Sequence, residues 1–342
     1  MGKAHRSKRP KGYIDWRPND KWEPILDNVK SVLRENQTYA PGSSLTVRQI
    51  FYALVGQYGF DKTEQAYNNL AEMLVKARRA RLVSFNEIID IGGTTGGGGH
   101  GYANLDRFLR GLGSWATYYD RDQFQAQPFH ILAFCEAEGL VNTAGEMFGK
   151  YGVKLTGTGG FASLTVNHTL AMDIVRRDKP TIFMHLGDFD PSGVSIFESM
   201  SQDIGAFVAD ELGVDFDEET GETECDDDEP GFRPVRIGLL PEHIDRWSLE
   251  SAPPKKSDSR SANWVGETTQ LEALKNPQLR SIIDEAIEPI IDWDQVATQQ
   301  AIGEREDEWI EDNLKPETEE FIKGMRQRVA ESDLYDTDGD EE

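Results

Sequence analysis

Apolar residues along this chain follow two different periods. In residues 44–55 and again in 62–81 they recur at helical spacing. Leu45, Ile50, Phe51 and Leu54 share one side of the first stretch, and Tyr67, Leu70, Leu74 and Ala77 share one side of the second, as amphipathic helices require. Ser44 stands as the N-cap of the first helix. Farther on the helical period gives way to short, nearly continuous apolar runs at 129–135 and 182–186, the mark of strands covered on both faces, and residues 232–240 read as a further strand. Between the first two runs, residues 153–160 read as a strand and a glycine turn, and 164–177 as a helix. Helices are also expected over 193–212 and 277–291. Strands alternating with helices predict parallel pairing with right-handed crossovers. The expected fold is α/β, with a helical N-terminal module followed by a parallel sheet flanked by helices.

The polar residues at the strand ends carry the chemistry. The run at 182–186 leads into Gly187-Asp-Phe-Asp-Pro-Ser-Gly193, and the run at 129–135 ends at Glu136. Residues two apart on an extended chain point the same way, so Asp188 and Asp190 can converge on one hard cation such as Mg²⁺. A surface turn rich in aspartate is the plain alternative, because Asp-Pro and Ser-Gly are common turn dipeptides. Parallel pairing brings Glu136, Asp188 and Asp190 to the carboxyl edge of one sheet, where α/β folds place their ligands.

Charge complicates this picture. The chain has 61 acidic and 36 basic residues and a formal net charge of −25, which ordinarily repels nucleic acid. The cations, however, gather in the N-terminal third, in Lys3, His5, Arg6, Lys8, Arg9 and Lys11 and at Lys76, Arg78, Arg79 and Arg81. Acid gathers in 215–229 and 333–342. Such a surface suits work at high salt, where the screening length falls to about 3 Å at 1 M. No apolar run reaches the roughly 18 residues of a membrane span, and the basic start lacks the apolar core of a signal peptide. The expectation is a cytoplasmic protein. Cys135 falls in a predicted buried strand and Cys225 in an acidic loop, so no disulfide is expected, and two cysteines are too few for the zinc module of bacterial-type primases.

The segments Phe134-Cys-Glu-Ala-Glu-Gly-Leu140, Thr156-Gly-Thr-Gly-Gly160 and Gly187-Asp-Phe-Asp-Pro-Ser-Gly193 resemble the Toprim domain in the version carried by the A subunit of type IIB topoisomerases (topoisomerase VI) and their meiotic double-strand-break relatives. Upstream, Thr46-Val-Arg-Gln-Ile-Phe-Tyr52 resembles the Thr-x-Arg-x-x-Tyr-Tyr helix of the same subunits. The likeness covers residues 40 to 290. It implies a Mg²⁺ site formed by Glu136, Asp188 and Asp190, with Tyr52 as a nucleophile on double-stranded DNA that forms a phosphotyrosyl intermediate. A phenol with an ordinary pKa of about 10 needs a cation beside it to attack phosphorus, and Arg48 lies one helical turn before Tyr52. A homodimer is implied, in which Tyr52 of one protomer meets the metal site of the other, together with a possible separate B-type ATPase subunit of the GHKL class. Three positions depart from the pattern: Phe51 replaces the first tyrosine, Ala137 replaces the usual lysine, and Thr158 replaces a basic residue. With its short length, the chain is similar to the small, stand-alone A-type proteins of mobile elements, here in a salt-adapted setting. Two alternatives stay open: a Toprim endonuclease in which water attacks and Tyr52 only packs, and a non-catalytic DNA-binding regulator that keeps the fold.

The expected organisation is a basic flexible arm (1–20), a winged-helix (CAP-like) DNA-binding domain (21–91), a glycine-rich linker with a bridging helix (92–127), a Toprim domain (128–295) with an acidic insertion at 213–230, and an acidic C-terminal helix and tail (296–342). Residues 82–89 would supply the wing strand, and Lys76, Arg78, Arg79 and Arg81 the duplex contacts. Basic residues at a helix C-terminus also suit its dipole. Lys255, Lys256 and Arg260 form a second candidate DNA-binding group on a loop. The glycine run at 92–101 lacks the Gly-Lys-Ser/Thr ending of a phosphate loop, and Trp115, Tyr118 and Tyr119 read as packing residues.

Overall fold

The computed structural model describes residues 10–39, 44–89, 105–115, 118–157, 163–226, 228–254 and 259–332. Residues 1–9, the whole glycine run at 92–101, Thr158 with Gly159 and Gly160, Lys255, Lys256 and the tail from 333 lie outside the described residues. In chain order the elements are α1 (Glu23–Tyr39), β1 (Leu45–Thr46), α2 (Val47–Tyr58), α3 (Glu64–Arg79), β2 (Ile88–Ile89), α4 (Leu105–Trp115), β3 (His130–Cys135), α5 (Val141–Gly149), β4 (Leu155–Gly157), α6 (Leu164–Arg177), β5 (Pro180–Leu186), α7 (Pro191–Leu212), β6 (Gly231–Gly238), α8 (Pro241–Trp247), α9 (Asn276–Ile287), α10 (Trp293–Trp309) and α11 (Lys315–Ala330). They form two units, 1–93 with 128–290, and 94–127 with 291–342.

In the first unit, α1, α2 and α3 bury Leu26, Val29 and Leu33, then Ile50 and Leu54, then Leu70, Leu74 and Ala77 in a common core, the three- and four-residue spacing read from the sequence. The cap differs from expectation. Leu45 and Thr46 are extended, pairing in parallel with Ile88 and Ile89. The helix therefore starts at Val47, with Thr46 accepting from Gln49 N and Gln49 reaching back in a capping box. Ser44 instead donates to Asn86 O at 2.7 Å. Among the described residues, 82–89 contain a 3₁₀ turn (Phe85–Glu87) and the two-residue β2, so only Ile88 and Ile89 of the expected wing strand are in a sheet.

The main sheet has strand order β4-β3-β5-β6, with every pair parallel. The chain steps from β3 outward to β4, returns past β3 to β5, and continues to β6. The winding direction thus reverses between β3 and β5. α6 packs on α7, and α5 packs on α9, placing helices on both faces as right-handed crossovers require. Under α6 and α7, Phe134, Phe183 and Phe232 from three adjacent strands meet Ala171, Ile174, Ile204 and Phe207.

The helical module and the sheet belong to one unit because buried polar contacts join them. Asp203, in the middle of α7, receives a forked ion pair from Arg79 of α3, with Nη1 to Oδ1 at 2.7 Å and Nη2 to Oδ2 at 2.9 Å. Gly12 N donates to the same carboxylate at 3.3 Å and Asn167 Nδ2 of α6 at 3.2 Å. Arg79 Nη1 also donates to Gly12 O at 2.7 Å, and Ile14 N to Arg79 O at 3.1 Å. Residues 11–14, expected within a flexible arm, are therefore pinned against α7. Phe85 enters the sheet core and stacks on His168, with ring centroids 3.6 Å apart. The acidic stretch after α7 is ordered as well. Phe216 and Thr223 form an antiparallel bridge, and Gly221 lies against the backbone of Ser201 so closely that no side chain fits there.

In the second unit, α10 runs through a π turn (Ile310–Leu314) into α11, which packs on α4 and buries Ile322 and Leu109. Arg121 pairs with Glu306 at 2.7 Å, and Tyr119 donates to the same carboxylate. Tyr118, expected to pack, is exposed. Cys135 and Cys225 are both free thiols. Among the described residues no helix is long and apolar enough to cross a membrane.

Asp203 makes a direct stability test. Asp203→Ala strands a buried guanidinium and should cost about 3–5 kcal/mol in urea unfolding, whereas Asp203→Leu combined with Arg79→Met should recover most of that loss. A single-variant cost below about 1 kcal/mol would mean that the pair does not hold the module to the sheet.

Candidate active site

Glu136 leaves β3 and Asp188 leaves β5 at the point where the winding reverses. Cys135 pairs with Leu186, and Glu136 N donates to Leu186 O at 2.9 Å. Both acids therefore stand just past the carboxyl ends of neighbouring strands, the usual ligand position of a doubly wound sheet. Glu136 Oε2 accepts from Asp188 N at 3.3 Å. It can lie so near the turn because Gly187 and Gly193 lack Cβ atoms, which would sit 2.7 Å and 2.8 Å from that oxygen. Asp188 Oδ1 accepts from Leu271 N at 2.7 Å. Asp190 caps α7, accepting from Gly193 N at 2.7 Å, with Pro191 in the first turn.

Each of the three half-buried carboxylates thus spends one oxygen on a backbone amide, and the second makes no hydrogen bond among the described residues. Burial pushes the Glu136 carboxyl up to about 7, reinforced by the charges of Asp188 and Asp190. Burial also raises Asp188, partly offset by the Leu271 amide, while Asp190 and Glu272 add to the rise. This all-oxygen donor set has the chemistry a hard divalent cation takes. Among the described residues no three His, Cys, Asp or Glu side chains close into a metal-ligand group.

Three further neighbours lie outside the strand-end motifs at 134–140 and 187–193. Glu272, in the 3₁₀ turn Leu271–Ala273, lies beside Gly139, where an added Cβ would come within 2.9 Å of its Oε1. His185 is 1 % exposed, and burial and the adjacent Arg236 push it down to about 3. Arg236 sits in β6 beside a bulge: His185 pairs with Arg236 and Leu186 with Gly238, leaving Ile237 as the extra residue. The strand holds two arginines, and the sequence does not tell them apart: Arg233 is exposed and pairs with Glu222 at 2.8 Å, whereas Arg236 is turned towards the site.

Tyr52 lies on a different part of the first unit. It is 49 % exposed, while Phe51 beside it is 6 % exposed and fills the helical core. The pair thus divides its work, with Phe51 packing and Tyr52 facing an open groove of about 360 Å³ lined by Arg48, Lys62, Thr63, Glu64 and Tyr67. Lys62 Nζ stands 5.8 Å from the centre of the Tyr52 ring. Among the described residues, no hydrogen bond, ion pair or ring contact joins Arg48 or Tyr52 to Glu136, Asp188 or Asp190.

The basic cluster of α3 divides in two. Lys76 is exposed, but Arg78 and Arg79 are 1 % and 6 % exposed. Arg78 donates to Thr165 at 2.8 Å, and Arg79 pairs with Asp203. This corrects the expectation that both face a duplex: one helix face holds Ala77 and these two arginines against the sheet. Arg81 is exposed yet pairs with Asp210 at 2.8 Å and Glu211 at 3.0 Å, and it stacks over Tyr13 at 3.8 Å. Of the loop cations, Arg260 lies 3.5 Å from Ser192 Oγ in the first turn of α7, near the carboxylates. Lys255 and Lys256 lie outside the described residues.

A scan against protein-family models finds no match for this chain, and a search of curated proteins finds none.

The raised Glu136 carboxyl gives a pH test. An unfolded glutamate titrates at about 4.3, so a folded value of about 7 means that ionised Glu136 opposes folding above neutrality, and protonation relieves this as pH falls. Glu136→Gln should therefore stabilise the chain at pH 8–9 by on the order of 1 kcal/mol, allowing for solvent screening, and the gain should fade towards pH 5. Melting curves across that range decide it, and a pH-independent difference would contradict the assignment.

Proposed function

We propose that this chain is a divalent-metal-dependent DNA-cleaving enzyme of the type IIB topoisomerase A-subunit kind, with a Toprim-like site at the sheet edge. The observation that carries the reading is the pairing of desolvated carboxylates across the winding reversal, Glu136 after β3 with Asp188 and Asp190 after β5. Ligands meet α/β sheets at this point, and a Glu charged at the expense of burial is the kind of perturbed group found at working sites.

Glu136, Asp188 and Asp190 would hold Mg²⁺, which when bound neutralises charge on phosphoryl oxygens. Tyr52 offers a hydroxyl that is exposed rather than packed, and Arg48 and Lys62 line the same groove. In the proposed reaction the Tyr52 oxygen attacks a DNA phosphorus as its proton passes to solvent, the bond from phosphorus to the deoxyribose oxygen breaks, and that oxygen takes up a proton from solvent to leave as a hydroxyl. The phosphotyrosyl ester keeps the bond energy for religation. Because Tyr52 touches none of the carboxylates, the reading calls for a homodimer that brings one protomer's tyrosine to the partner's acids. Double-stranded DNA is the proposed substrate, and a GHKL-class B-type ATPase is a proposed partner if strands are passed.

That same separation favours a second reading, a hydrolytic endonuclease in which the metal site works without Tyr52. One assay resolves the two: supercoiled plasmid with Mg²⁺ in molar KCl, quenched with denaturant. Wild type should give broken or relaxed plasmid with protein covalently attached. Tyr52→Phe should give no adduct, and Asp188→Asn should lower the rate by on the order of a hundredfold or more. Cleavage persisting in Tyr52→Phe without adduct selects the hydrolytic reading. DNA binding without cleavage at any salt concentration selects a non-catalytic regulator.

A further inference from the structure

Behind the carboxylates lies a cation that, among the described residues, is bound to no carboxylate. Arg236 Nη2 donates to Gly187 O at 3.0 Å and to Asp188 O at 2.5 Å, and Nη1 donates to Gly193 O at 3.1 Å. Nη1 also lies 3.2 Å from His185 Nδ1. The imidazole is held neutral by burial, so Nδ1 is the acceptor and the tautomer carries its proton on Nε2. One guanidinium therefore ties together the end of β5, the Asp-x-Asp turn and the first turn of α7. Burial lowers Arg236 to about 10 against the opposing pull of Glu136, Asp188, Asp190 and Glu198, and its Nε is buried without a hydrogen-bond partner. A buried donor left unpaired in a native fold calls for an explanation.

Resting on the carboxylate reading of the site, we infer that Arg236 is its positioning residue. Its planar fork grips the carbonyls of the 187–193 turn from inside the sheet, so that the amide of Asp188 meets Glu136 and the carboxylates of Asp188 and Asp190 stand at the strand ends. Those carbonyls point inward, towards the guanidinium, which leaves the outer side of the turn to the acids. The same positive charge, placed behind the turn, eases the crowding of negative groups in front of it without occupying any of their oxygens. Lysine cannot replace it. An ammonium is a single point with no fixed fork, and it cannot span acceptors on β5, the turn and α7 at once.

The test uses the full chain with Arg236→Lys and Arg236→Gln. Hydrogen exchange, read by mass spectrometry on peptides covering 186–196, reports the turn without any metal present. Both variants should exchange there about tenfold faster than wild type, while peptides covering 130–135 and 181–185 stay unchanged. Mn²⁺ binding, followed by the paramagnetic signal of the free ion, should weaken about tenfold in Arg236→Lys. Exchange in the turn at the wild-type rate in both variants overturns the inference. Global unfolding of both does so too, since it would make Arg236 a structural residue only. Faster turn exchange in a protein whose wild type binds no Mn²⁺ keeps the positioning role and removes the metal reading, so the two failures are distinguishable.

Discussion

An ionised aspartate in the middle of a buried helix is tolerable only when its charge and lone pairs are fully met. Asp203 meets that condition by drawing on parts of the chain far apart in sequence: Arg79 from α3, Asn167 from α6 and the backbone of Gly12. The helical module and the sheet are consequently one folding unit. The aromatic cluster of Tyr13, Phe85, His168 and Phe207 closes over the same junction. With the module fixed to α7 in this way, the groove around Tyr52 and the strand-end acids both belong to one compact unit.

The acids in turn follow from topology. Any sheet that winds outward in one direction and returns in the other opens a crevice between the two central strands, and here those strands end in Glu136 and in the 187–193 turn. The fold supplies the location, and the sequence supplies the charge. Burial raises Glu136 to about 7, so its ionised form is disfavoured there relative to an exposed glutamate.

Much of this was legible in the residues. Continuous apolar runs marked the strands because both faces are covered, and the helical period gave the helix over 164–177, which the structure shows capped by Ser163. Glu136, Asp188 and Asp190 could be placed because parallel pairing leaves little freedom at strand ends. What could not be read depends on tertiary partners. Arg78 and Arg79 look like a basic helix end, and only Thr165 and Asp203, some ninety and more residues away, turn them inward. Thr46 displaced Ser44 as the cap because Leu45 found a strand partner in Ile88. Arg236 and His185 carry no motif, since their acceptors are mostly backbone atoms that any sequence possesses.

The extra residue Ile237 gives β6 two pairing frames. From Gly231 to Arg236 the strand keeps step with β5, and Phe232 and Phe183 stay in the core; beyond it, Gly238 pairs with Leu186, its carbonyl accepts from Gly187 N, and Leu239 N donates to Gly187 O. The frame that builds the core and the frame that borders the acids are uncoupled by one residue. Substitutions that repack the aromatic layer can then accumulate without passing a register error to the strand ends, and the rim can change without disturbing what lies beneath it. The bulge acts as a mechanical joint between the part of the sheet that must be stable and the part that is free to specialise.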